Sequence, residues 1–130
     1  MSERVPRVRR APLPADALIV VRGDDLIDGS SQLQAVDFRR RFPDWGRWGL
    51  SAFYARGDTD VDDLAADRLE HFPVLRLYRP EVLEAAGFEI VATFRTPHVT
   101  LAFDGDLDAW VDRLRTADHD ERPNPYHERD

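Results

Sequence analysis

Cysteine is absent from this chain of 130 residues, and so is lysine. Without Cys there is no disulfide, no thiolate metal site and no Cys nucleophile. All 18 basic residues are therefore Arg; against them stand 25 acidic residues, mostly Asp, for a net charge of −7. This skew is most simply a GC-rich coding bias and carries little functional weight. No apolar run approaches the roughly 18 residues that a membrane span needs. The basic N-terminus, Met1 to Arg10, has no apolar stretch behind it, unlike a secretory signal, so the expectation is a cytoplasmic protein with no membrane partner. Missing too are a phosphate-binding P-loop, a Gly-rich dinucleotide fingerprint, a zinc-protease helix and a nucleophile-elbow pentapeptide. No metal site is expected: His119 and His127, with Asp120 and Glu128, read as solvated tail residues.

What is present fits one domain with a modest core. Both ends are polar and carry Pro, basic at the start (Arg4, Arg7, Arg9, Arg10) and acidic at the close (Asp118, Asp120, Glu121). They read as an N-terminal arm over 1–14 and an acidic tail over 118–130, around a globular part over 15–117. Within it, Ala17–Val21, Leu50–Ala55, Val74–Tyr78, Phe88–Phe94 and His98–Phe103 read as strands. Helices are expected over Gln32–Phe42, capped by Ser30 or Ser31 and stopped by Pro43, and over Asp58 to about Glu70. Two more are expected over Pro80–Ala86, ended by Gly87, and over Leu107–Arg115. In the first of these helices Leu33, Val36 and Arg40 fall on one side; in the last, Leu107, Trp110, Val111 and Leu114 do. The pattern predicts an α+β domain: a mixed or antiparallel sheet of about five strands with three to four helices, and a hairpin around Pro97. Strand order stays open.

Candidate chemistry gathers at strand positions. The stretch Thr93-Phe94-Arg95-Thr96-Pro97-His98-Val99-Thr100 sets polar groups among apolar anchors around a turn. On a strand, His98 and Thr100 share a face. An imidazole moves protons near neutral pH, and Arg95 can grip a phosphate with two parallel hydrogen bonds. A single His-x-Thr is weak evidence on its own, since the phosphodiesterase fold that uses it has two copies. Arg22, followed by Gly23 at the end of a buried strand, is placed to reach a phosphate. Ser51 opens the second strand behind Gly49 and can donate to a phosphate or a ribose. Arg39–Arg41 and Arg47, interleaved with Phe38, Phe42, Trp45 and Trp48, suit unpaired bases, so Arg47 and Trp48 join the substrate-binding candidates.

A strand ending in Arg-Gly followed by a strand with Gly-x-Ser resembles the opening of ADP-ribosyltransferase-type toxins. The resemblance covers about 35 residues. It implies that Arg22 holds the phosphates of NAD and that Ser51 supports the nicotinamide-ribose pocket. The acidic residue of that family falls on no clear motif here; Glu81, Glu84 and Glu89 are candidates by location. The stretch around Pro97 also resembles small bacterial effectors of toxin–antitoxin pairs.

Three functions follow as expectations. The first is a small toxin-like effector acting on RNA or a nucleotide, with His98 as proton mover, Arg22 and Arg95 on phosphate, Ser51, Thr100, Arg47 and Trp48 binding substrate, and no cofactor. The second is an NAD-dependent ADP-ribosyl transfer. The third is a non-enzymatic binding module, in which the acidic run Asp58–Asp63 meets a basic partner. A cognate antitoxin or other protein partner, and an oligomer, are compatible with each. An enzyme should gather Arg22, Ser51, Arg95 and His98 around one crevice.

Overall fold

The computed structural model describes residues 4–10, 13, 14, 16–23 and 27–126. Ten elements run in the order β1 (Leu18–Gly23), α1 (Ile27–Arg41), β2 (Trp48–Ala55), α2 (Asp58–Ala66), β3 (Val74–Tyr78), α3 (Pro80–Ala85), β4 (Glu89–Ala92), β5 (His98–Phe103), α4 (Leu107–Thr116) and β6 (Asp120–Pro123). The strands form one sheet in the order β4-β5-β2-β1-β3-β6. Every neighbouring pair is antiparallel, so the chain is an α+β domain with a purely antiparallel sheet. No described helix is long and apolar enough to cross a membrane.

The two-residue alternation of the strands sorts the core into two layers. On one face Ile19, Val21, Leu50, Val99 and Leu101 pack with Leu83 of α3 and with Trp110 and Leu114 of α4. On the other, Val20, Phe53, Leu75 and Leu77 pack with Val61, Leu64 and Ala65 of α2. The buried face of α4 is the one its spacing predicts, Trp110, Val111 and Leu114.

Helix α1 differs from expectation in two ways. It begins at Ile27, so Ser30 and Ser31 lie inside it rather than at its cap. Among its described side chains Ala35 and Phe38 are buried, as is Phe42 just after it, while Leu33 points to solvent, 69% exposed. The reason lies in what α1 packs against. Strand β1 pairs with β2 only from Leu18↔Ala55 to Val20↔Phe53. Beyond that point α1 takes up the freed side of β2: the Gln34 Oε1 accepts the Ser51 N–H at 2.9 Å, replacing a ladder hydrogen bond. Phe38 meanwhile lies over Gly49, where an added Cβ would come within 2.5–2.7 Å of its ring. Gly49 is thus a site of close approach between helix and strand.

Both polar ends carry structure. The segment expected as an acidic tail supplies β6, which pairs along β3 from Val74↔Pro123 to Leu77↔Asp120. At the other end Val8 bridges to Thr93, the Arg9 N–H donates to the Ala92 carbonyl at 2.8 Å, and the Phe94 N–H donates to the Arg7 carbonyl at 2.9 Å. An edge strand needs backbone partners rather than an apolar face, so a charged segment can supply one. His127 and Glu128 lie outside the described residues.

Candidate functional site

The register of three strands assembles one polar cluster. On β5, Thr100 sits between Val91 of β4 and Ser51 of β2. Two residues along, His98 lies across from Phe53, and the Thr93 N–H donates to the His98 carbonyl at 3.3 Å. Thr93, His98, Thr100 and Ser51 therefore share one face of the sheet. Their side chains form a continuous chain. Thr100 Oγ1 lies 2.7 Å from Thr93 Oγ1, which lies 2.9 Å from His98 Nδ1; His98 Nε2 lies 3.0 Å from Ser51 Oγ. Thr93 and Thr100 are fully buried, His98 is 8% exposed and Ser51 is half-buried. The chain thus starts at fully buried hydroxyls and ends at a residue that is only partly buried.

Aromatic rings and cations frame it. Phe53 meets the imidazole edge-on at 5.3 Å, and Phe94 lies 5.1 Å away on another side. Phe94 holds a left-handed backbone conformation, with φ of 56°, which costs a non-glycine residue about 1 kcal/mol. Its N–H bond to Arg7 and its ring contacts with His98 and Phe42 maintain it. The Thr96–Pro97 peptide beside it is cis. Arg9 donates from its guanidinium to the Thr93 carbonyl at 2.5 Å, Arg68 stacks over Phe53, and Arg41 lies over the rings of Phe42 and Phe94. Burial pushes the His98 pKa down to about 4; the Thr93 backbone opposes this, while the charges of Arg9 and Arg68 add to it. The imidazole is neutral at physiological pH.

The sequence candidates fall in several places. Ser51, His98 and Thr100 belong to the cluster. Arg95 sits on the exposed turn before His98, its carbonyl accepting the His98 N–H at 2.8 Å. Arg22 pairs through its backbone with Leu75 of β3. The β1–β2 register, continued, would set it across from Ser51, but the ladder stops two residues short. Arg47 and Trp48 are engaged elsewhere. Arg47 bridges Glu89 and Asp104 and lies against the Trp45 ring. Trp48 donates its indole N–H to the Gly105 carbonyl at 2.9 Å and carries Arg39 on its face. The Arg and aromatic patch thus largely satisfies itself. Of the acidic candidates, Glu89 is held by Arg47, and Glu81 and Glu84 lie on α3, which packs against the opposite face of the sheet.

The sequence reading gave no role to Arg9 and Arg68. Arg9 lay in a segment read as an arm, and nothing in the spacing of Arg68 tied it to His98. A cleft of about 470 Å³ lies next to the cluster, lined by Tyr54, Asp60, Asp63, Asp67, Arg68 and Pro97 among others. Neither Ser51 nor His98 lines it; Arg68 is the residue common to both. Among the described residues no group of three or more His, Asp or Glu side chains is placed to hold a metal ion. The chain matches no protein-family model, no curated protein and no solved structure.

Proposed function

We propose that this domain is a small toxin-like effector that engages RNA or a nucleotide through a phosphate at Ser51 and His98. The observation that carries the reading is the hydroxyl–imidazole chain that opens at a half-buried Ser51 and has Arg9 and Arg68 near enough to oppose protonation of His98. A neutral polar floor beneath cationic side chains favours an anion, even on a chain of net charge −7. With a pKa near 4, His98 is a weak proton mover in the free protein. A phosphate brought to Ser51 supplies the opposite charge that raises this pKa toward the useful range, so the substrate completes the acid/base group. Arg95, exposed on the adjoining turn, is the cation available to grip the phosphate from outside.

A second reading has its own observation. Asp60, Asp63 and Asp67 line the neighbouring cleft, which favours a basic protein partner such as a cognate antitoxin. Part of that acidic run already serves the fold: Asp60 accepts the Arg56 N–H, Asp58 pairs with Arg122, and Asp62 accepts the Tyr126 hydroxyl. Among the described side chains no acidic one bonds to Ser51, so the transferase reading draws no support from them.

The test is incubation of the purified protein with total RNA and, separately, with adenine nucleotides, alongside His98→Ala and Arg95→Ala. Cleavage or turnover by the wild type that both variants lose supports the effector. Intact RNA and nucleotides, with no binding of either, would move the assignment to the protein-binding module.

A further inference from the structure

We infer that the Thr100–Thr93–His98–Ser51 chain is a one-way donor relay, in which the Nε2–H form of His98 donates to Ser51 and the Ser51 proton is left for a phosphate oxygen, so that Ser51 is a ligand donor and not a nucleophile. The direction follows from counting protons at the buried end. Thr100 Oγ1 has one partner among the described residues, Thr93 Oγ1, and Thr93 Oγ1 has that partner and His98 Nδ1. Both hydroxyls are fully buried, and each carries one proton that needs an acceptor.

Consider a proton on Nδ1. It is donated to Thr93 Oγ1, Thr93 must then donate to Thr100, and the Thr100 proton is left in the interior with no acceptor. With Nδ1 bare, Thr100 donates to Thr93, Thr93 donates to Nδ1, and every buried proton is used. The imidazole proton then sits on Nε2, 3.0 Å from Ser51 Oγ. The Thr93 carbonyl, which accepts from the Arg9 guanidinium at 2.5 Å, has a second lone pair for an Nδ1 proton, but one of the two buried hydroxyl protons would then still lack an acceptor. Protonating both ring nitrogens would create the same orphan at Thr100, which agrees with the depressed pKa of His98.

Three consecutive donors pointing outward polarise one another, so the last hydroxyl is a stronger donor than an isolated serine. A nucleophilic serine needs the reverse, with its proton directed at a ring nitrogen that can accept it. Ser51 therefore selects a hydrogen-bond acceptor, and the positive charges of Arg9 and Arg68 acting on the neighbouring His98 make an anionic one the best fit. Thr93 and Thr100 act as positioning residues. The ligand half of this inference rests on the phosphate reading above; the proton order does not.

The experiment is a long-range proton–nitrogen NMR spectrum of the His98 ring, with inorganic phosphate titrated as the probe. The wild type should show the proton on Nε2. Thr93→Val with Thr100→Val removes both hydroxyls without leaving either orphaned, and should move the proton toward Nδ1 and weaken phosphate binding roughly tenfold. Thr93→Ser should restore both properties, and its single hydroxyl exchange guards against a folding failure in the double variant. A wild-type ring protonated on Nδ1, or an affinity unchanged when the tautomer shifts, would overturn the relay. An Nε2 proton in a protein that binds no phosphate would leave the relay standing and sink the phosphate reading instead.

Discussion

Two buried polar groups, Asn124 and His98, are both nearly inaccessible, yet their hydrogen bonds run to different kinds of partner. Asn124, 1% exposed, donates from its amide to the carbonyls of Ala65, Leu69 and Phe72, and its Oδ1 accepts the Tyr126 N–H. Its own N–H donates to the Pro73 carbonyl. Every bond ends on main chain, and the set is closed: it ties the segment after α2 to the end of β6. His98 bonds through its ring to two side-chain hydroxyls, and its set opens at Ser51. A closed set bound to backbone holds a fold together. An open set of side chains that reaches the surface has a bond left to give, and that is the mark of a place where something else can bind.

The comparison breaks most sharply with pH. The folded pKa of His98 is depressed to about 4 from an ordinary 6.5. The unfolded chain therefore takes up a proton below pH 6.5 that the folded chain refuses until about pH 4, and stability falls across that window. The loss attributable to His98 reaches about 3 kcal/mol at full burial, reduced by whatever water enters past Ser51. Urea unfolding of the wild type and of His98→Gln between pH 7 and pH 4 measures it: the gap between them should close as pH falls, and parallel curves would place the ring in water. Asn124→Ala comes next. It removes the side-chain donor shared by three carbonyls and should cost about 2 kcal/mol by the same unfolding assay, equally at pH 7 and pH 5, with phosphate affinity untouched. An affinity loss there would erase the distinction between the two clusters. The smallest effect is expected at Arg47. Its carboxylate partners Glu89 and Asp104 are largely exposed, so Arg47→Ala should cost less than about 1 kcal/mol and leave phosphate binding as it is. A tenfold drop in affinity would return Arg47 to the ligand site.

Much of the fold is legible because apolar spacing reports burial. Val74–Tyr78 and the stripe of α4 are where the sequence places them. The segment Asp120–Pro123 has no apolar alternation, and its strand character comes from β3 alone. Leu33 misleads for a related reason: spacing names a stripe, while the neighbour decides which stripe is buried, and α1 packs by Phe38 over Gly49. The site was visible in parts. His98 and Thr100 declare a shared face by their spacing, and Thr93 lies within the same stretch. That Ser51 meets them depends on β2 lying beside β5, a long-range pairing that local pattern does not encode. Arg9 is more distant still, brought in by a bridge between Val8 and Thr93.

The short strand at the far side of the sheet has a consequence for how the molecule behaves in a crowd. Strand β6 is four residues long, Asp120, Glu121, Arg122 and Pro123, and the last has no N–H to offer. A neighbouring molecule seeking to extend the sheet there meets mixed charge and a missing donor. The opposite border, β4, is occupied at its Ala92–Thr93 end by the strand-like stretch around Val8. Growth of one sheet into the next, the usual route from a folded β-rich domain to a fibre, is thus hindered at β6 and at one end of β4 by segments of polar, charged composition.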